Sequence, residues 1–136
     1  MKILIIDGQG GNIGCRLAKM IAEQIKDSDI RIVGTNSIAT ANMMKSGVTN
    51  AATGENAVIV GCRWADVIVG PIGIVIADAL MGEVTPAMAA AVGQSSAVRV
   101  LVPLNKCETL VAGADKLTAS ELLSDAVEKI KKIAAD

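Results

Sequence analysis

The sequence predicts an α/β domain, a three-layer α/β/α arrangement around a mostly parallel sheet of five to six strands. Three observations predict it. Short aliphatic runs rich in Val and Ile alternate with longer stretches of helical periodicity, the pattern of repeated βαβ units. The apolar residues, 51% of the chain, are almost all aliphatic, with Trp64 the sole aromatic and no Phe, Tyr or His. Such a core suits helices laid on a sheet that is buried on both faces. The 136 residues suffice for one packed core and are too few for two ordinary domains, so residues 1–136 read as one unit.

The elements follow in order. Ile3 to Ile6 is a continuous apolar run closed by Asp7-Gly8, a buried first strand. The turn Gly8-Gln9-Gly10-Gly11-Asn12-Ile13-Gly14 comes next, and a helix starts inside it. Ile13, Leu17, Met20, Ile21 and Ile25 form its apolar face, mostly at three- and four-residue spacing. Ile30 to Val33 is the second strand, ending at Gly34-Thr35-Asn36-Ser37. A helix follows from about Ile38 to Lys45, with Gly47 as its stop. Thr49 to Ala52 reads as a short third strand. Thr53-Gly54-Glu55-Asn56 opens a helix to about Trp64. Val67 to Val69 is a strand, followed by Gly70-Pro71-Ile72-Gly73. Ile74 to Met81 is expected to be helical, because a crossover must return to the sheet. Thr85-Pro86 caps a further helix to about Val92. Val98 to Val102 is the next strand, and Thr109 to Val111 is expected as a last short one. Thr118-Ala119-Ser120-Glu121 is a capping box that opens the terminal helix.

Composition excludes several function classes. The net charge is −1, without the basic stripe or stacking aromatics of a nucleic-acid binder. The most apolar stretch, Ala57 to Met81, is interrupted by Arg63, Asp66, Pro71 and Asp78. One such charge costs roughly 2.5–3.5 kcal/mol at bilayer depth, so a membrane location is not expected. The first residues are too short an apolar run for a signal peptide, and a cytoplasmic location is expected. Cys15, Cys62 and Cys107 are odd in number and widely spaced, which fits neither a disulfide framework nor a zinc knuckle. No metal site is expected.

In an open parallel sheet, ligands bind outside the carboxyl ends of the strands. Five segments fall there: Asp7 to Gly14, Gly34 to Ser37, Thr53 to Asn56, Gly70 to Gly73, and Asn105 to Cys107. They hold glycines, amides and small hydroxyls, whereas the opposite edge carries charged linkers such as Lys26 to Asp29. The first segment has a mechanism. Its glycines permit positive φ and close backbone approach. The helix beyond would aim free N–H groups and its positive dipole end at an anion such as a pyrophosphate. The spacing is G-x-G-G-x-x-G, a relative of the dinucleotide fingerprint; read strictly from Gly8, its last position falls on Ile13. No Gly-Lys-Ser or Gly-Lys-Thr ends it, so it is not a Walker A loop. The plain alternative is a tight strand-to-helix turn with nothing bound.

Candidate contacts to a nucleotide are Gly8 to Gly14, Thr35, Asn36, Ser37, Gly54, Glu55, Asn56, Gly70, Pro71, Ile72 and Asn105. NAD proteins place Asp or Glu at the end of the second strand to take the ribose hydroxyls. Here Gly34 to Ser37 contain neither, which points to NADP(H), with Arg16 or Lys45 to balance a 2′-phosphate. Those residues equally read as a cap for the next helix. NAD or another adenine nucleotide stays open. Lys106 could lower the pKa of Cys107 and make it a nucleophile, and inert packing is the alternative. Cys15 and Cys62 read as packed. Asp7 could orient the loop, bind ribose, or stand as an exposed strand-end carboxylate. Met43, Met44, Met81 and Met88 read as core filling.

The segments Asp7 to Gly14, Gly34 to Thr40, Ala52 to Ala57, Gly70 to Ile74 and Pro103 to Cys107 together resemble a family of small bacterial proteins described as a domain of unknown function. The likeness spans nearly the whole chain. It implies a short Rossmann-like protein and supplies no reaction. The first loop is also similar to those of NAD(P)-binding proteins, over the first strand, turn and helix only. Three functions follow as expectations. One is a nucleotide-binding sensor or subunit. A second is a small oxidoreductase or transferase using Lys106, Cys107 and Glu55; the absence of Tyr excludes the Tyr-Lys mechanism of short-chain reductases. A third is an interaction protein with no ligand, in which Ile74 to Val92 offers apolar surface for a homodimer.

Overall fold

The computed structural model describes residues 1–104 and 108–136. Five strands form one all-parallel sheet: β1 (Lys2–Asp7), β2 (Asp29–Gly34), β3 (Ala51–Thr53), β4 (Val67–Pro71) and β5 (Val98–Val102). Their order across the sheet is β3-β2-β1-β4-β5. The chain therefore builds outward from β1 in one direction, then crosses back to build in the other. The helices are α1 (Asn12–Gln24), α2 (Ser37–Met44), α3 (Glu55–Trp64), α4 (Pro86–Gln94) and α5 (Ala119–Ala135).

Alternate side chains of β1 feed two separate cores. Ile3 and Ile5 pack with Leu17 and Ile21 of α1, Met43 of α2, and Leu123, Val127 and Ile130 of α5. Leu4 and Ile6 pack with Val58 and Cys62 of α3, and with Met88 and Val92 of α4. Burial on both faces is why β1 reads as an unbroken apolar run rather than an alternating one. This is the three-layer, Rossmann-like α/β fold that the sequence predicts. Trp64 closes α3, and the Arg31 guanidinium of β2 lies 4.0 Å from its ring centroid. Such a cation–π pair ties the end of α3 to β2.

Two expected elements differ. Ile74 to Met81 is not a helix: a 3₁₀ turn spans Ile72–Val75, and a run of turns leads on to Thr85. The β-branched Ile74, Val75 and Ile76 lose side-chain freedom in a helix, and α4 alone makes the return to β5. Thr109 to Val111 is not a strand either. Leu110 is 93% exposed, so that segment has no apolar face to bury against the sheet. The two caps are as expected. Thr85 Oγ1 accepts from Met88 N at 3.1 Å, and Thr118 and Glu121 make the reciprocal capping box.

Candidate functional site

The carboxyl ends of β1, β2 and β4 meet where the strand order reverses. Asp7, the last residue of β1, is buried with 1% exposure. Its Oδ1 accepts from Gly8 N at 2.8 Å and its Oδ2 from Gly14 N at 2.7 Å. The N-cap of α1 is Gly11, which has no side chain to cap with. The strand before the helix supplies the capping carboxylate instead, within the positive end of the helix dipole. Burial raises the Asp7 pKa, and the Glu83 charge adds to it, against backbone bonds from Gly14, Gly8 and Ile13. Of its three sequence readings, Asp7 takes the one that orients the loop.

Most glycines of the loop have structural reasons. A Cβ on Gly8 would stand 2.6 Å from Thr35 Oγ1 and 2.7 Å from Leu80 Cδ1. Gly11 has φ +73°, and a Cβ there would lie 2.5 Å from the Ala39 carbonyl oxygen. A Cβ on Gly14 would meet Met43 and the Asp7 side chain. Gly10 differs: the nearest atom to its added Cβ is Asn12 Nδ2 at 3.9 Å. It is exposed, and its backbone is where another molecule can approach. Asn42 Nδ2 braces this part, donating to Gly10 O at 2.7 Å and Asn12 Oδ1 at 2.9 Å. Asn42 is absent from the sequence-based candidates, although an amide on the next helix over is an ordinary brace for a loop.

The end of β2 joins the same cluster. Asn36 is the N-cap of α2, its Oδ1 accepting from Ala39 N at 2.8 Å. Its Nδ2 donates to Gln9 O at 3.0 Å. The capping role and the loop contact therefore coexist in one side chain. Ser37 begins α2 and is exposed.

Glu83 completes the cluster, and sequence reasoning missed it. Its Oε1 accepts from Gln9 N at 2.8 Å, Thr35 Oγ1 at 2.8 Å and Asn36 Nδ2 at 2.7 Å. Partial burial works to raise its pKa, but these three bonds outweigh it and leave the pKa below the ordinary glutamate value. The available signal was weak: an acidic residue after Gly82, on the long connection between β4 and α4. The absence of a carboxylate beside the end of β2, read from sequence, is thus made good from elsewhere in the chain. The cations named to balance a 2′-phosphate are not held there. Arg16 donates to Ser120 Oγ of α5 at 2.9 Å. Lys45 follows the far end of α2, about 13.5 Å along the axis from Asn36 at the usual rise.

The remaining candidates lie beside this cluster. Gly54, with φ +102°, is the N-cap of α3, and its N–H donates to Gly34 O at 2.9 Å. Glu55 Oε1 accepts from Thr85 Oγ1 at 2.6 Å, which ties the starts of α3 and α4 together. Asn56 is exposed. Gly70 and Pro71 end β4, and a Cβ on Gly70 would strike the Ile6 carbonyl; Ile72 starts the 3₁₀ turn. Cys62 is buried in α3, and burial pushes its pKa up to about 11. Cys15 is half-buried in α1. Met43 and Met88 fill the core, whereas Met44 and Met81 are 39% and 96% exposed. Asn105, Lys106 and Cys107 lie outside the described residues. Among the described residues, no helix is long and apolar enough to cross a membrane.

The model of one protein family, Domain of unknown function (DUF3842), matches residues 2–135. The chain belongs to the DUF3842 family. No curated protein and no solved structure gives a significant match. For this DUF3842 domain, the geometry at the carboxyl edge is therefore the ground on which function is argued.

Proposed function

We propose that the chain binds a nucleotide, NADP(H) or a related dinucleotide, across the Gly8–Gly14 loop, as a sensor or a subunit. The observation that carries this reading is the strand order. β1 and β4 are neighbours whose connections leave to opposite faces of the sheet. A crevice opens at such a switch point, and ligands of open parallel sheets bind there. The loop, the amide and hydroxyl of Asn36 and Thr35, and the end of β4 all lie at that edge of the sheet. Gly10 gives the open backbone approach that a pyrophosphate needs. The described part of the cluster holds donors and carboxylates, with no paired acid and nucleophile, which favours binding over catalysis.

A thermal-shift screen with NADP(H), NAD(H), ATP, FAD and S-adenosylmethionine tests the reading. Ligand at a hundredfold excess over its Kd stabilises the native state by about 2.7 kcal/mol, a rise of several degrees. Gly10→Asp is the control, because the added side chain meets open space and places a negative charge where the phosphates would lie. A shift with one nucleotide, lost in a folded Gly10→Asp protein, supports the site. No shift with any of them overturns it.

A further inference from the structure

We infer that the segment from Ile76 to Thr85 is a closing strap, and that its Glu83 carboxylate competes with the ligand for the glycine loop. This inference rests on the nucleotide reading above. Three donors, from the β1–α1 loop and the start of α2, converge on one oxygen, Glu83 Oε1. All three are neutral N–H or O–H groups that serve a phosphate or ribose oxygen equally well. A bound nucleotide at this loop would seek the donors that Glu83 already holds, and its phosphates would be repelled by the carboxylate.

The strap is built to sit down as a unit. Leu80 is 2% exposed and packs on Gly8, where any Cβ would collide with it. Asp78 N donates to Val84 O at 2.7 Å and Val84 N to Ala79 O at 3.1 Å, closing the base of a compact turn. Ala79 and Val84 anchor that base in the core. Within this turn, Asp78, Leu80 and Met81 hold φ of 66°, 56° and 57°, a region side-chain-bearing residues avoid unless their surroundings impose it. Met81 crowns the turn at 96% exposure. The crest from Leu80 to Glu83 thus has strain to release and two holds on the glycine loop, the buried Leu80 side chain against Gly8 and the Glu83 carboxylate, while its base stays packed. Lifting the crest withdraws Glu83, frees Gln9 N, Thr35 and Asn36, and uncovers Gly8. It also withdraws the Glu83 carboxylate from the end of β2, so a 2′-phosphorylated ribose no longer meets that charge.

The test compares the wild-type chain with Glu83→Ala and Glu83→Gln, using NADP and NAD as probes and amide hydrogen exchange as the second readout. Loss of the latch is expected to speed exchange at Gln9 and across residues 78–83, and to tighten NADP binding at least fivefold. Glu83→Gln, which keeps an acceptor and loses the charge, is expected to fall between the two. Saturating NADP is expected to speed exchange in the wild-type strap while slowing it in the loop. Unchanged exchange in Glu83→Ala would show that Glu83 latches nothing. Faster exchange with unchanged or weaker binding would show that Glu83 does not compete, and would leave the nucleotide reading standing. Binding of neither probe to any of the three proteins would remove both.

Discussion

The two connections that leave the centre of the sheet solve the same problem differently. After β1, Gly8–Gly11 turn the chain straight into α1, and a buried carboxylate from β1 itself caps the helix. After β4, Ile72–Thr85 wander through a 3₁₀ turn and a left-handed crest before α4 begins with its own Thr85 cap. The first turn is tight because its carboxylate is local and its glycines fit against neighbouring backbone and side chains. The second is long because it reaches back over the first, and Leu80 and Glu83 make the contact. A short turn with internal satisfaction is a framework; a long one satisfied at a distance is a movable part.

Substitutions separate the two. The largest expected effect is in the framework. Gly11→Ala combines a left-handed residue, costing about 1–2 kcal/mol, with overpacking against Ala39 worth about 1–3 kcal/mol. Urea unfolding is expected to show a loss of about 2–5 kcal/mol, and a loss below 1 kcal/mol would contradict the turn geometry. Asp7→Ala strips the acceptor from Gly8 N and Gly14 N. Two orphaned N–H groups at a buried helix end imply a loss of about 1–3 kcal/mol, visible as a lower Tm. Thr85→Ala removes the cap of α4 and is expected to cost about 1 kcal/mol by the same measurement.

pH distinguishes the two carboxylates by sign. Glu83 has a folded pKa below its ordinary value of 4.5. Its stabilisation is whole above that value and is lost as pH falls through the lowered one. Asp7 has a folded pKa above its ordinary value of 3.8. Between that value and the raised one, the native state holds a proton that the unfolded chain has released, so stability falls as pH rises. Unfolding curves from pH 3 to 7 for Glu83→Gln and Asp7→Asn, each set against the wild type, are expected to diverge in opposite directions. The smallest effect is expected at Gly10→Ala, within about 0.5 kcal/mol. A larger loss would show that the open side of Gly10 is not open.

The framework was legible from sequence and the movable part was not. The order of strands and helices, the glycine turn, the Thr85-Pro86 start of α4 and the capping box of α5 are each set by residues within a few positions of one another. Propensity and spacing register such signals. Glu83 meets Gln9 across 74 positions of sequence and Thr35 across 48, and nothing in its own neighbourhood announces either contact. The Ile74 to Met81 segment was misread for a related reason. The need for a crossover back to the sheet suggested a helix there, yet Leu80 is spent on Gly8 and Met81 faces outward. The role of Asp7 was half legible: its place after the strand marked it as important, while its full burial depended on the fold.

The lone indole has a practical consequence. α3 starts beside the loop, where Gly54 N meets Gly34 O, and runs about 15 Å at the usual rise to end at Trp64. The chain thus carries a single intrinsic fluorophore, parked against Arg31 at the opposite edge of the sheet. Its emission reports the loosening of the β2–α3 corner and is insulated from direct contact with anything seated at the loop. A quencher or energy acceptor bound there would dim it through space, so one optical channel can follow unfolding and occupancy as separate events.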